Sequence, residues 1–228
     1  LHNTVRKETD ITQKLQSTCL GIIPLIVPKG KRKLERLSIQ SSHVGTPFKE
    51  SFRGLALQTA RVMEDRKVLL VTATADKEGA STVAQNLADA LTEQGKQVIL
   101  IDGNTQSAKE IATARQEADF VIIDAPACQN LSQIAPFAER CDAILLTIRQ
   151  DYTKLPRIMN SFEDLSQFEA TLIGCVLTGV RSGITGYGYG YGYGYGYGYG
   201  KSYHYGRYGS YGYGDKKGGK YAADKEGK

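Results

Sequence analysis

Thr72-Ala-Thr-Ala-Asp-Lys-Glu-Gly-Ala-Ser-Thr82 lies between the strand-like apolar run Val68 to Val71 and the helix-like run Val83 to Leu91. A turn of this kind, leading from a strand into a helix, can wrap phosphate oxygens with backbone N–H groups at the helix N-terminus. The pattern that does so reads G-x-x-x-x-G-K-[ST]. Gly79, Ser81 and Thr82 hold their places in it, but Thr74 stands at the first glycine and Ala80 at the lysine. That lysine normally reaches the β- and γ-phosphates as a point charge, while the following hydroxyl ligates Mg²⁺.

Two further segments strengthen the reading. Gln97-Val-Ile-Leu-Ile-Asp102 and Asp119-Phe-Val-Ile-Ile-Asp124 are apolar runs that end in aspartate. Buried parallel strands have this form when they deliver a carboxylate to the C-terminal edge of a sheet. One such aspartate is commonly a helix cap, but two beside a glycine-hydroxyl turn bring three strand ends to one crevice. The surrounding sequence alternates. A helix starting at Thr46-Pro47 carries Phe48, Phe52, Leu55, Ala56 and Val62 near helical spacing, with Glu50 and Arg53 three apart. Strands are expected over 68–73, 97–102, 120–124, 143–148 and 172–177, and helices over 81–93, 107–116, 132–139 and 154–165. This alternation predicts an α/β fold, a doubly wound, mostly parallel sheet, and the turn from Thr72 to Thr82 makes its expected type that of the P-loop NTPases.

The chain has 228 residues, enough for one good core. Its 29 basic and 24 acidic side chains give a net charge of +5, too mild to imply a nucleic-acid partner without a concentrated patch. Cys19, Cys128, Cys141 and Cys175 form no C-x-x-C pair and have no histidines at zinc spacing. Cys141 and Cys175 sit in apolar settings as core thiols, and a reducing cytosol fits them. His2, His43 and His204 are scattered and receive no role. No run approaches the ~20 apolar residues of a membrane span. The chain starts at Leu1 rather than methionine and is expected to be a fragment or a processed piece.

Residues 1–45 read as an arm and linker, 46–185 as the domain and 186–228 as a tail. Within the arm, Leu20-Gly-Ile-Ile-Pro-Leu-Ile-Val27 is apolar but interrupted by Pro24, giving an edge strand or an extended arm. Lys29-Gly-Lys-Arg-Lys33 is either a solvated loop or a contact with anionic lipid. From Gly186 through Gly200 glycine and tyrosine alternate, further tyrosines follow among Gly, Lys and Ser, and of the chain's 14 tyrosines only Tyr152 lies outside the tail. Glycine at every second place supplies no packing face, so this segment is expected to be disordered.

Taken together, these runs resemble the bacterial tyrosine kinases that control capsule and exopolysaccharide export. Thr72 to Thr82 corresponds to that family's Walker A loop, Ile99 to Gly103 to its second Walker motif, and Val121 to Pro126 to Walker B. Asn86-Leu-Ala88 and Gly95-Lys96 fit as well. Leu1-His-Asn-Thr-Val5 and Leu20-Gly-Ile-Ile-Pro24 are similar to the entry that follows the family's second membrane helix. Phe48-Lys-Glu-Ser-Phe-Arg53 is similar to the helix through which its subunits form a ring, which marks Glu50 and Arg53 as oligomerisation residues.

The resemblance implies ATP or ADP with Mg²⁺ as cofactor and a location on the cytoplasmic face of the bacterial inner membrane. It implies Asp102 and Asp124 as catalytic carboxylates, and Lys77, Glu78, Gly79, Ala80, Ser81 and Thr82 as the nucleotide loop. Ser81, Asp102 and Asp124 would hold the metal. The phosphate acceptors would be Tyr187, Tyr189, Tyr191, Tyr193, Tyr195, Tyr197, Tyr199, Tyr203, Tyr205, Tyr208, Tyr211, Tyr213 and Tyr221. Implied partners are other copies or an intact homologous kinase in a ring, the membrane proteins of polysaccharide polymerisation and export, and a tyrosine phosphatase.

Departures from the family pattern cluster on the chemistry. Besides Ala80, Asp76-Lys77 replaces a usual Pro-Gly, Asn104 a second aspartate and Gln106 an arginine, while Ala56 takes the place of a further arginine in the ring-forming helix. Only 21 residues separate Asp102 from Asp124, room for a minimal crossover helix. Losing one charge-assisted hydrogen bond should weaken nucleotide binding roughly 10- to 100-fold, and phosphotransfer should fall by on the order of 10²-fold or more. The sequence therefore reads as a tyrosine-kinase-like domain with impaired transfer. Two alternatives remain: a partitioning-type P-loop ATPase switch in which Lys77 supplies the charge, and a non-enzymatic scaffold whose Tyr-Gly tail self-associates.

Overall fold

A computed structural model describes residues 3–27 and 36–181; the Lys29 to Lys33 cluster and the tail tyrosines lie outside the described residues. Six strands and six α-helices follow in the order α1 (Glu8–Lys14), β1 (Cys19–Pro24), α2 (Thr46–Met63), β2 (Val68–Ala73), α3 (Ala80–Glu93), β3 (Val98–Asp102), α4 (Glu110–Glu117), β4 (Phe120–Asp124), α5 (Leu131–Ala138), β5 (Ala143–Arg149), α6 (Leu155–Leu165) and β6 (Thr171–Val180). The strands form one sheet in the order β1-β6-β5-β2-β4-β3, and each neighbouring pair is parallel.

Every residue of β2 and β4 is buried, as expected where helices cover both faces of a parallel sheet. On one face Phe48, Phe52 and Leu55 of α2 and Val83, Leu87 and Leu91 of α3 pack on Leu69, Val71, Ile122 and Leu145. Phe48 and Phe52 meet edge to face, their ring centroids 5.1 Å apart. On the other face Ile11, Ile111, Ile134, Phe137, Ile158 and Leu165 from α1, α4, α5 and α6 cover Leu70, Val121, Ile123 and Leu146. The alternation of β-branched and aliphatic residues along each strand thus feeds two cores at once.

Spatially the sheet runs from β2 through β4 to β3 on one side and through β5 and β6 to β1 on the other, while the chain goes from β2 out to β3, back to β4 and then across β2 to β5. That reversal opens a crevice at the C-terminal strand ends, where parallel α/β sheets bind ligands. Local signals explain the boundaries: Pro47 and Pro156 sit in the first turns of α2 and α6, and Gly95 follows α3 at φ 84°, the left-handed turn that ends many helices.

Leu20 to Pro24 takes the edge-strand option, and Pro24 closes β1. The seven-residue helix α1 is an addition to the sequence reading. It is mostly polar and is fixed by Asp10, whose Oδ2 accepts the amides of Arg6 and Lys7. Cys141 and Cys175 are buried thiols. Among the described residues no helix is long and apolar enough to cross a membrane.

Candidate functional site

Residues 74–79 carry the chain from the buried end of β2 to the start of α3. Thr72 Oγ1 donates to the Pro126 carbonyl at 2.7 Å, holding the end of β2 to the segment after β4. Gly79 turns the chain into the helix at φ 94°, a backbone that side chains resist. The first bond of α3 runs from Val83 N to Gly79 O. The amides of Ala80, Ser81 and Thr82 precede it and, at the positive end of the helix, are available to an anion. Thr74, at the mouth of the loop, is buried and its hydroxyl has no partner among the described residues. A free amide turn beside an orphaned hydroxyl fits phosphate oxygens.

Glu78 belongs to the loop in sequence but points into the domain. It is 1% exposed. Its Oε1 accepts Ala75 N at 3.0 Å and Thr153 Oγ1 at 2.6 Å, and its Oε2 accepts Arg149 N at 3.1 Å. Burial raises the Glu78 pKa, against the pull of those three donors. Thr178 Oγ1 holds the Glu78 carbonyl at 2.7 Å. Glu78 therefore braces the loop from below, while Lys77 is exposed at φ 66°, its carbonyl bonded by Arg149 Nη1.

Asp102 and Asp124 are register partners at the ends of β3 and β4. Gly103 follows Asp102 so closely against β4 that an added Cβ would stand 2.8 Å from the Asp124 carbonyl, a distance that only glycine tolerates. Ser81 Oγ donates to Asp124 Oδ1 at 3.0 Å, linking the helix N-terminus to the acid pair. The two carboxyls titrate apart. Burial raises Asp124, with Asp102's charge adding to it and Ser81 and Arg36 opposing. Asp102 is held below the usual range, first by the Asn104 amide at 2.9 Å and then by the Asn104 side chain.

Among the described residues no three His, Cys, Asp or Glu side chains gather into a metal cage. Mg²⁺ needs none, since it commonly takes one or two carboxylates and completes its shell with waters and phosphates. Ser81 with the aspartate pair is a donor set of that kind.

The structure thus places Gly79, Ala80, Ser81, Thr82, Asp102 and Asp124 together at the C-terminal ends of the strands, turns Glu78 inward and leaves Lys77 at the surface. Glu50 and Arg53 lie away on α2, where Arg53 Nη1 donates to Glu50 Oε1 at 2.6 Å and its Nε to Glu93 Oε2 at 3.0 Å. The thirteen tail tyrosines lie outside the described residues. Asn86, which the family resemblance marks without a role, ties the segment before α2 to the first turn of α3. Asn86 is fully buried; its Nδ2 donates to the carbonyls of Leu37 and Thr82 at 2.8 Å each, and its Oδ1 accepts Ile39 N at 2.7 Å.

No family model matches the sequence, and no curated protein does. Solved structures do resemble it. The BceF tyrosine kinase domain aligns with a TM-score of 0.67 at 17% identity, covering 78% of this chain and 99% of that one. The chimerical protein CapA2B2 gives 0.64 at 18% identity, over 76% and 99%. The kinase domain of the Escherichia coli tyrosine kinase ETK gives 0.60 at 17% identity, over 79% and 97%. At these identities the shared property is the architecture: the chain has the fold of bacterial tyrosine kinase domains.

Proposed function

We propose that this chain is a tyrosine-kinase-like, nucleotide-binding domain of a capsule or exopolysaccharide machine, its own phosphotransfer impaired by Ala80 and its tyrosine-rich tail a phosphate acceptor. The observation that carries the reading is the Ser81 to Asp124 hydrogen bond in a phosphate loop lacking its lysine, within a fold shared with the BceF and ETK kinase domains. Bound Mg-ATP would supply the phosphoryl group. The amides of Ala80, Ser81 and Thr82 would hold phosphate oxygens, Ser81 and Asp124 would hold the metal, and Asp102, kept ionised, would take the proton of an incoming tyrosine hydroxyl.

The tail from Tyr187 to Lys228 has an r.m.s. reach of roughly 32 to 39 Å as a flexible chain, enough to meet a neighbouring subunit. Each phosphotyrosine would add about −1.5 to −2 charges, so three would erase the net charge of +5. An intact homologous kinase would modify the tail in trans, a tyrosine phosphatase would reverse it, and the assembly would sit at the cytoplasmic face of the inner membrane beside the polymer-export proteins.

The test is incubation with radiolabelled ATP and Mg²⁺, comparing the parent chain with Ala80→Lys and mapping phosphotyrosine. Tail labelling confined to the variant is expected. Equal labelling of both chains overturns the impairment, and labelling of neither, with nucleotide bound, overturns the kinase-like reading.

A further inference from the structure

A phosphate loop with alanine at position 80 is one cation short, and the crevice adds two carboxyl groups, Asp102 and Asp124, to the negative charge that a nucleotide brings. Binding Mg²⁺ offsets part of this, but the lysine of ordinary loops serves the β- and γ-phosphates directly. Any replacement comes from elsewhere in the fold, on the side of β2 where the acid pair lies.

Lys77 is poorly placed for it. Its carbonyl is tied to Arg149 at the end of β5, across β2 from β4 and β3. The segment before α2 reaches the correct side. Asn86 stands one turn beyond Thr82 on α3, and its amide staples the Leu37 carbonyl and the Ile39 amide to the turn that carries Ser81 and Thr82. Ile39, 2% exposed, anchors this segment in the core beneath α2 and α3.

Arg36 is the residue immediately before the staple. It is exposed and has no hydrogen-bond or ion-pair partner among the described residues. Because Asn86 Nδ2 bonds both the Leu37 and the Thr82 carbonyls at 2.8 Å each, the backbone beside Arg36 lies against the first turn of α3.

We propose that Arg36 supplies the phosphate-facing charge that position 80 lacks, a guanidinium delivered from the linker before α2 and held at the first turn of α3 by Asn86. The proposal rests on the nucleotide-binding reading above. A guanidinium suits the task because it stays charged throughout the working pH range and offers a fork of donors to phosphate oxygens.

The experiment is calorimetric titration of the full chain with Mg-ATP and with Mg-ADP. The variants are Arg36→Gln, Arg36→Lys, Ala80→Lys and the double variant Ala80→Lys with Arg36→Gln. Arg140→Gln, at the opposite end of the sheet, controls for net charge. Arg36→Gln should weaken ATP roughly 10-fold or more, and Arg36→Lys should retain most of the affinity. In the Ala80→Lys background the same Arg36→Gln change should cost several-fold less, because the two cations do one job. Parent and Arg36→Gln binding ATP equally would overturn the proposal while leaving the nucleotide reading intact. So would equal losses in both backgrounds, or an Arg140→Gln loss as large as that of Arg36→Gln. Absence of nucleotide binding by every chain would overturn both readings.

Discussion

Thr153 Oγ1 donates to Glu78 Oε1 across 2.6 Å, joining the turn that leads into α6 to the underside of the loop at residues 74–79. The same turn is gripped by the N-terminal segment: Asp151 N bonds the Val5 carbonyl, Leu155 N the Asn3 carbonyl, and Arg6 pairs with Asp151 at 3.2 Å. The loop at residues 74–79 is thus braced through segments far apart in sequence, with one buried carboxyl at the junction.

Replacing Thr153 by valine keeps the shape and removes the donor. Because Glu78 is buried, the loss should destabilise the fold by about 1–3 kcal/mol and speed amide exchange over residues 75–79. The folded Glu78 carboxyl titrates above its ordinary value. Its contribution to stability is therefore most favourable at acid pH and declines as pH rises from the ordinary carboxylate range through the raised folded pKa. Thr153→Val should steepen that decline. Unchanged loop exchange in the variant would mean that the brace is not mechanical.

Asp124 gives a second pH dependence, read in binding. Burial holds its pKa above the ordinary value, so protons compete with Mg²⁺ at a higher pH than an exposed aspartate would allow. Asp102 is held below the usual carboxylate range, first by the Asn104 amide. Mg²⁺-dependent nucleotide affinity should therefore fall as pH is lowered toward the carboxylate range, with Asp124 as the titrating group. Asp124→Asn should abolish both the Mg²⁺ enhancement and its pH dependence. Retention of that dependence in Asp124→Asn would assign it to another group.

The parts visible in the sequence are those that local pattern determines. Uninterrupted apolar runs such as Phe120 to Asp124 announce buried parallel strands, and a carboxylate closing such a run must emerge at the sheet's C-terminal edge. The inward turn of Glu78 is invisible in the local sequence because it depends on Arg149 and Thr153, 71 and 75 residues away. The helix α1 is too short and polar for hydrophobic periodicity to mark it. The placement of the segment before α2 has no local motif because it follows from Asn86, whose bonds to Ile39 and Leu37 span 47 and 49 residues.

At the far end of the sheet, Asp142 ties three segments together. Its Oδ2 accepts the amides of Lys67 and Val68 at 2.9 Å each, and Arg115 grips both of its oxygens at 2.8 and 2.9 Å. Burial pushes the carboxyl up, but these donors outweigh it and hold the folded pKa below the ordinary value. Such a group stabilises the fold above its unfolded pKa, and the benefit is lost as pH falls through the folded pKa. Asp142→Asn should cost about 1–3 kcal/mol near neutrality, with the gap to the parent closing below about pH 4. Parallel thermal melts from pH 7 to pH 3 would show it, and a constant gap would assign the loss to geometry rather than charge.

Asn86 offers the sharpest separation of structure from binding. Removing its amide by Asn86→Ala leaves the Ile39 N–H and the Leu37 carbonyl without their partner in a buried setting, at a cost of about 1–3 kcal/mol. It also frees residues 36–39 from the turn that carries Ser81 and Thr82. Amide exchange should rise at Ile39 while the sheet strands stay protected, because β2 and β4 draw their hydrogen bonds from each other and from β3 and β5. Nucleotide affinity should fall in Asn86→Ala toward that of Arg36→Gln, and combining the two changes should add little, since the staple matters to the site through the arginine it positions. Full additivity of the two losses would mean that Asn86 acts on the phosphate loop directly through its bond to the Thr82 carbonyl.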